Sequence, residues 1–147
     1  MSEYNIGGTA AAGGASGPRA GIGNRFVAAL IDGLLVGVVQ FVLSLIIGRS
    51  LSQLLGLVLA VAYFAYFEGQ PAGQTLGKRV MGIRTIDFNT GGSIDTSRAA
   101  IRGVVRVVSG LACGLGFIWA LFNKEKQTWH DMAAQTVVVP VSAYPVP

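Results

Sequence analysis

The chain has 147 residues, of which 52% are hydrophobic and only 12% charged, with 21 glycines and a formal net charge of +4. A soluble domain of this length carries about twice that share of charge and could not hide so much apolar surface, which excludes an ordinary water-soluble globule and points to lipid. Nor does the positive balance point to nucleic acid: the basic residues lie beside apolar runs, so the anionic leaflet of a bilayer is the simpler counterpart.

Residues 1–23, MSEYNIGGTAAAGGASGPRAGIG, are Gly, Ala and Ser-rich with nothing periodic to bury, and are expected to be disordered or loosely attached. Arg19 and Arg25 precede a hydrophobic run too long for a signal peptide, with no small-residue cleavage site after it; an uncleaved anchor fits better. The first span is expected over residues 26–47, enough to cross a hydrocarbon core of about 30 Å. It carries Asp32, seven residues after Arg25 and on the same helix face, about 10 Å further along. An ionised acid near the bilayer centre costs roughly 2.5 to 3.5 kcal/mol, so Asp32 must face protein, water or a cation, or take up a proton. Ala29, Gly33 and Gly37 form a small-residue seam beside it, suited to close packing of another helix.

After a short turn at residues 48–50, a second span is expected over residues 51–67, ending in the interfacial aromatics Tyr63, Phe64, Tyr66 and Phe67. Residues 68–97 are polar. A short strand is predicted over 80–87, a turn over 89–92, and helix N-caps at Asp95, Thr96 or Ser97. The following segment, 98–122, sets Arg98, Arg102 and Arg106 on one face. Their available anions are Asp32, Glu68, Asp95, Asp131 and lipid phosphates. Gly103, Gly110, Gly114 and Gly116 break this segment, which reads either as a third span with Arg106 snorkelling or as a re-entrant pair. Residues 123–140 form a loop and a strand stopped by Pro140, with a tail at 141–147. That strand is too short to stand alone, and its partner is the strand near 80–86.

The expected fold is therefore an α-helical integral membrane protein with two full transmembrane helices, a third glycine-broken membrane segment and a small cytoplasmic β element. With a re-entrant third segment, every Lys and Arg except Arg49 lies on one side, which makes that side and the N-terminus cytoplasmic. Cys113 stands alone in an apolar run and reads as a small core residue. His130 has no companion ligands, so no metal is expected; beside Asp131 it reads as a hydrogen-bonded loop residue or a proton relay. GQTLGKR ends like a phosphate-binding loop, but Ala72 replaces the first glycine and Arg79 the magnesium-binding hydroxyl. No nucleophile with base and orienting acid is visible, so neither an enzyme nor a cofactor is expected.

Taken together, NRFVAALID, FEGQPAGQTLGKRVMGIRTID, RAAIRGVVR and TWHDMAAQTVVV resemble the RDD family of bacterial membrane proteins over about residues 24–140. The family is named for one arginine and two aspartates, which by position are Arg25, Asp32 and Asp131. Gln135 departs from the pattern, where the family commonly has glycine. The resemblance implies a multi-pass protein of the bacterial cytoplasmic membrane and, through some relatives, cation and proton antiport. The candidate polar network or ion and proton site comprises Arg25, Asp32, Asp131, Glu68, Arg102 and Arg106. Lys78, Arg79 and Arg98 are assigned to lipid headgroups, and Ala29, Gly33 and Gly37 to helix packing. Two functions stay open: a cation and proton transport component acting as a homo-oligomer, or an accessory subunit of a larger membrane complex that binds anionic lipid through its arginines.

Overall fold

The computed structural model of the chain describes residues 15–112 and 114–147. The loose tail expected over residues 1–14 and the core role expected of Cys113 lie outside the described residues.

Two long helices form a hairpin. Helix α1 spans Ile22–Ile47 and α2 spans Arg49–Glu68, and both are long and apolar enough to cross a membrane. Gly48 alone separates them, at φ 84°, a conformation that L side chains rarely adopt, so the reversal needs no longer loop. Their burial is inverted relative to a soluble helix. The buried residues are Ala28 and Asp32 on α1 and Ser52, Gly56 and Glu68 on α2, while Leu34, Leu45, Ile46, Leu54 and Val58 are exposed. Such an apolar exterior requires hydrocarbon as solvent, and the chain is a helical membrane protein.

Helix α3, Leu76–Met81, follows a loop and is capped by Thr75, whose hydroxyl accepts from the Lys78 amide. Val80 and Met81, expected in a strand, are helical because this cap starts the helix and left-handed Gly82 (φ 65°) stops it. Strand β1 is Ile83–Asp87 and pairs antiparallel with β2, Thr136–Pro140, in the register Ile83 to Pro140 and Ile86 to Val137. Ile83, Ile86 and Val137, Val138 and Val139 are almost wholly buried.

Residues 15–20 do not form the loose tail expected of them. The Ala15 amide bonds to Phe88 O at 3.0 Å, Ala20 to Val138 O at 2.9 Å, and Gly17 to the Tyr144 hydroxyl at 2.6 Å. Small side chains make this possible, since Ala15 and Ala20 slip into the apolar clusters of the sheet.

Helix α4, Thr96–Leu111, is capped by Asp95 and packs along α2. Gly103 lies against the Val61 backbone, which allows that approach. A short α5, Leu115–Ile118, runs into a 3-10 turn at Trp119–Leu121. Only when counted together with α4 are these pieces long and apolar enough for a third span, and the two parts bend by 109°. Helix α6, Trp129–Ala133, has a capping box between Thr128 and Asp131. The turn that follows it holds Gln135, whose φ of 56° explains why glycine suits that position; the turn survives with glutamine in a left-handed conformation.

Candidate functional site

Five elements bring charged side chains together at the end of the hairpin away from Gly48. Glu68, wholly buried at the end of α2, accepts from Lys78 of α3 and from Arg102 of α4 at 3.1 Å, with Arg106 at 3.5 Å. Asp131 of α6 is paired with Arg25 of α1 at 2.7 Å and with Arg102. Arg102 therefore bridges both carboxylates, and its guanidinium also donates to Thr136 at the start of β2. Burial alone would raise the Asp131 carboxyl, but the guanidiniums of Arg25 and Arg102 hold it well below the usual carboxylate range. Five of the six residues expected in one polar network thus meet: Arg25, Glu68, Arg102, Arg106 and Asp131.

Asp32, expected in the same network, stands apart from them, and that expectation is corrected. Its carboxylate accepts from the Tyr63 hydroxyl at 2.7 Å, the Thr75 hydroxyl at 2.6 Å and the Gly77 amide at 2.9 Å. No ion pair to it occurs among the described residues. Three neutral donors can stabilise a buried carboxylate in place of water, and here they come from α2 and from the start of α3. Gly77 is needed for this, because a Cβ there would meet the Ala28 carbonyl and the Asp32 carboxyl carbon.

Two of the three residues expected at lipid headgroups are committed elsewhere. Lys78 is buried against Glu68 and Thr85, and Arg98 holds Asp87 and the carbonyls of Ala134 and Gln135, because each finds a fixed partner within reach. Only Arg79 is exposed. Among the described residues no helix packs on the seam of Ala29, Gly33 and Gly37, and none of their atoms outside α1 lies within 4 Å of a Cβ placed at Gly33 or Gly37. The close approach expected there occurs instead where Gly77 meets Ala28.

Sequence reasoning passed over Tyr63, read as an interfacial aromatic, and gave Thr75 and Gly77 no part in this site. The available signal was GQTLGK itself. Gln74 donates to Ile83 O at 2.9 Å, Thr75 and Gly77 hold Asp32, and Lys78 reaches Glu68. Arg84 was also missed: it is buried in β1 and donates to the carbonyls of Pro71, Tyr144 and Pro145.

Beside this network α1 and α2 bound a cavity of about 950 Å³. Asp32, Gln40 and Ser52 line its length, and Lys78, Arg106, Phe117 and His130 close the end away from Gly48. His130 is 1% exposed and sits 3.4 Å from Arg106 through Nε2. Burial, reinforced by the positive charge of Arg106, keeps its imidazole well below its ordinary range and hence neutral. Lys78 is pulled down to about 7 by burial, opposed by Glu68 and aided by Arg102 and Arg106. No group of three His, Cys, Asp or Glu side chains converges to hold a metal among the described residues.

The chain is 29% identical over 98 residues to a proline-rich antigen homolog of Mycobacterium tuberculosis, covering 65% of this chain and 40% of that protein. It is 30% identical over 87 residues to the proline-rich antigen of Mycobacterium leprae, covering 57% and 35%. The chain thus spans less than half the length of these relatives. It is also 24% identical over 147 residues to the uncharacterized protein YxaI of Bacillus subtilis, covering 82% of this chain and 96% of that one. No solved structure matches. The model of the RDD family matches residues 19–135, a stretch that holds Arg25, Asp32 and Asp131, and the chain belongs to that family.

Proposed function

We propose that this chain is a non-enzymatic transport component of the bacterial cytoplasmic membrane that moves a monovalent cation against protons and acts as an oligomer. The cavity carries the proposal. It runs beside α1 from the level of Arg25 to that of Ser44, about 28 Å of helix rise, and polar side chains recur along it within otherwise apolar spans.

The proton step is assigned to Lys78. Its ammonium lies against Glu68 at the cavity's charged end, where burial makes it titrate near neutrality. Loss of that proton removes one positive charge from the cluster, which lowers the electrostatic barrier to a monovalent cation in the cavity. Both oxygens of Asp32 are already engaged by protein donors, which assigns it the positioning of α3 and Lys78 rather than the carrying of an ion.

The positive-inside rule supports a cytoplasmic N-terminus and sheet. The third segment is read as re-entrant: its sharp bend and the inward arginines of α4 suit an element lying at the membrane edge, with Ile101, Val104 and Val108 outward. Three short segments leave little room for a complete pathway in one copy, which is why an oligomer is proposed. The test is proteoliposome flux. Cation-dependent proton movement is expected, lost in Lys78→Met and strongly reduced in Asp32→Asn at unchanged folding; absence of flux together with co-purification of a larger complex would instead leave the accessory-subunit reading.

A further inference from the structure

The charged end of the cavity has more cations than it can answer. Arg25, Lys78, Arg102 and Arg106 form ion pairs only with Glu68 and Asp131, so even with Lys78 neutral three guanidiniums stand against two carboxylates, and all are buried or nearly so. Buried charge of one sign is expensive unless an ion of the other sign meets it. Two donors are also left over. Arg106 keeps Nη1, and His130 keeps Nδ1, buried with no hydrogen-bond partner, although both residues line the cavity. The nearer Arg106 nitrogen can only donate, so His130 Nε2 accepts from it and the ring proton resides on Nδ1, making that atom a donor as well. Two unmet buried donors beside an excess positive charge describe a seat for an oxyanion.

The rest of the cavity asks for something different. Ser44 donates to the Phe41 carbonyl, Ser52 to the Arg49 carbonyl, and Gln40 to Ser52, so these polar groups are satisfied within the protein. Val36, Leu57 and Phe64 supply apolar walls, and Gly33 and Gly37 leave an open furrow toward the bilayer. An oxyanion at one end of a furrow with apolar walls is the chemistry of an anionic amphiphile.

We propose that the cavity holds one anionic phospholipid, its phosphate on Arg106 and His130 and an acyl chain along the Gly33 and Gly37 face of α1. The proposal does not rest on the transport reading. Lipid and ion path share one space, so a bound lipid competes with passage, yet binding is measured without flux.

Native mass spectrometry of the detergent-purified protein, with phosphatidylglycerol, phosphatidylcholine or inorganic phosphate added, tests it. One phosphatidylglycerol is expected to stay bound under activation that strips phosphatidylcholine. Arg106→Gln is expected to weaken it roughly tenfold, the loss of a charge-assisted hydrogen bond. The double change Gly33→Leu and Gly37→Leu fills the furrow, leaves every charge in place and favours helix, so it reads out even if Arg106→Gln fails to fold; it too is expected to abolish retention. Equal retention of the two lipids, or retention unaffected by the leucine pair, overturns the proposal. Displacement by inorganic phosphate at comparable concentration also overturns it, since the site would then take a free anion without needing a chain. Loss of flux with lipid binding intact would count against transport alone.

Discussion

Arg102 is the side chain on which most of the buried charge depends. It is fully buried and holds Glu68 and Asp131 at once, joining α2, α4 and α6 through a single guanidinium. Its planar fork can serve two carboxylates, which a lysine's point charge at the same place would not do. Removing one partner of a buried ion cluster costs about 3–5 kcal/mol, because the charges left behind have lost both water and counter-ion. Arg102→Met is therefore expected to lower the unfolding free energy in detergent by about that amount, while Arg79→Gln, at an exposed position, changes it by less than about 0.5 kcal/mol. Equal midpoints for the two variants in a denaturant titration would refute this. Spacing alone identified the arginine face of α4 and its need for anions. Which anion each arginine takes was not legible, because Glu68 lies 34 residues away from Arg102 and Asp131 lies 29 away, distances that only folding closes.

Helix α3 exists because of its neighbours. Six residues cannot form a stable helix alone, since nucleation is costly and each end leaves groups unpaired. Thr75 caps it, Gly82 ends it, and Asp32 of α1 holds its first turn through the Thr75 hydroxyl and the Gly77 amide. Gly77→Ala is expected to destabilise the protein by about 1–3 kcal/mol by forcing α3 away from α1, with protease cleavage around residues 76–81 appearing first. Leu76→Ala, at a partly exposed side chain, is the control that should leave cleavage unchanged. The strand expected from Val80 failed for the same reason: β-branched content suggests a strand, but a capping threonine and a contact from another helix override it. By contrast, the two long helices needed no tertiary information, since their apolar runs are as long as a bilayer is thick.

Across the whole molecule, three titrations outside the spans act with one sign. Asp131 is held below its unfolded value, so the stability it contributes is present above about pH 4 and is lost as pH falls through its folded value. His130, kept neutral, binds a proton more readily when unfolded, so stability declines as pH falls below about 6.5. Lys78 titrates near 7 when folded but near its ordinary 10.5 when unfolded, so the unfolded chain holds more protons between those values and stability rises with pH across that window. Melting temperature in detergent is expected to climb from pH 5 to about pH 9, with His130→Gln flattening the part below about 6.5 and Lys78→Met the part above 7. A profile that peaks near pH 6 and falls on both sides would contradict these assignments.

Composition and periodicity by themselves determined that the chain lives in lipid, where its two spans run, and that acids must meet the arginines of α4, because hydrophobic length and helical spacing are local properties of a chain. Only the tertiary structure decided that Asp32 is held by Tyr63, Thr75 and Gly77 instead of by a guanidinium, that Lys78 turns inward, and that a cavity lies between α1 and α2. Those outcomes depend on which groups arrive at hydrogen-bonding distance once helices pack, and a linear order of residues does not contain that distance.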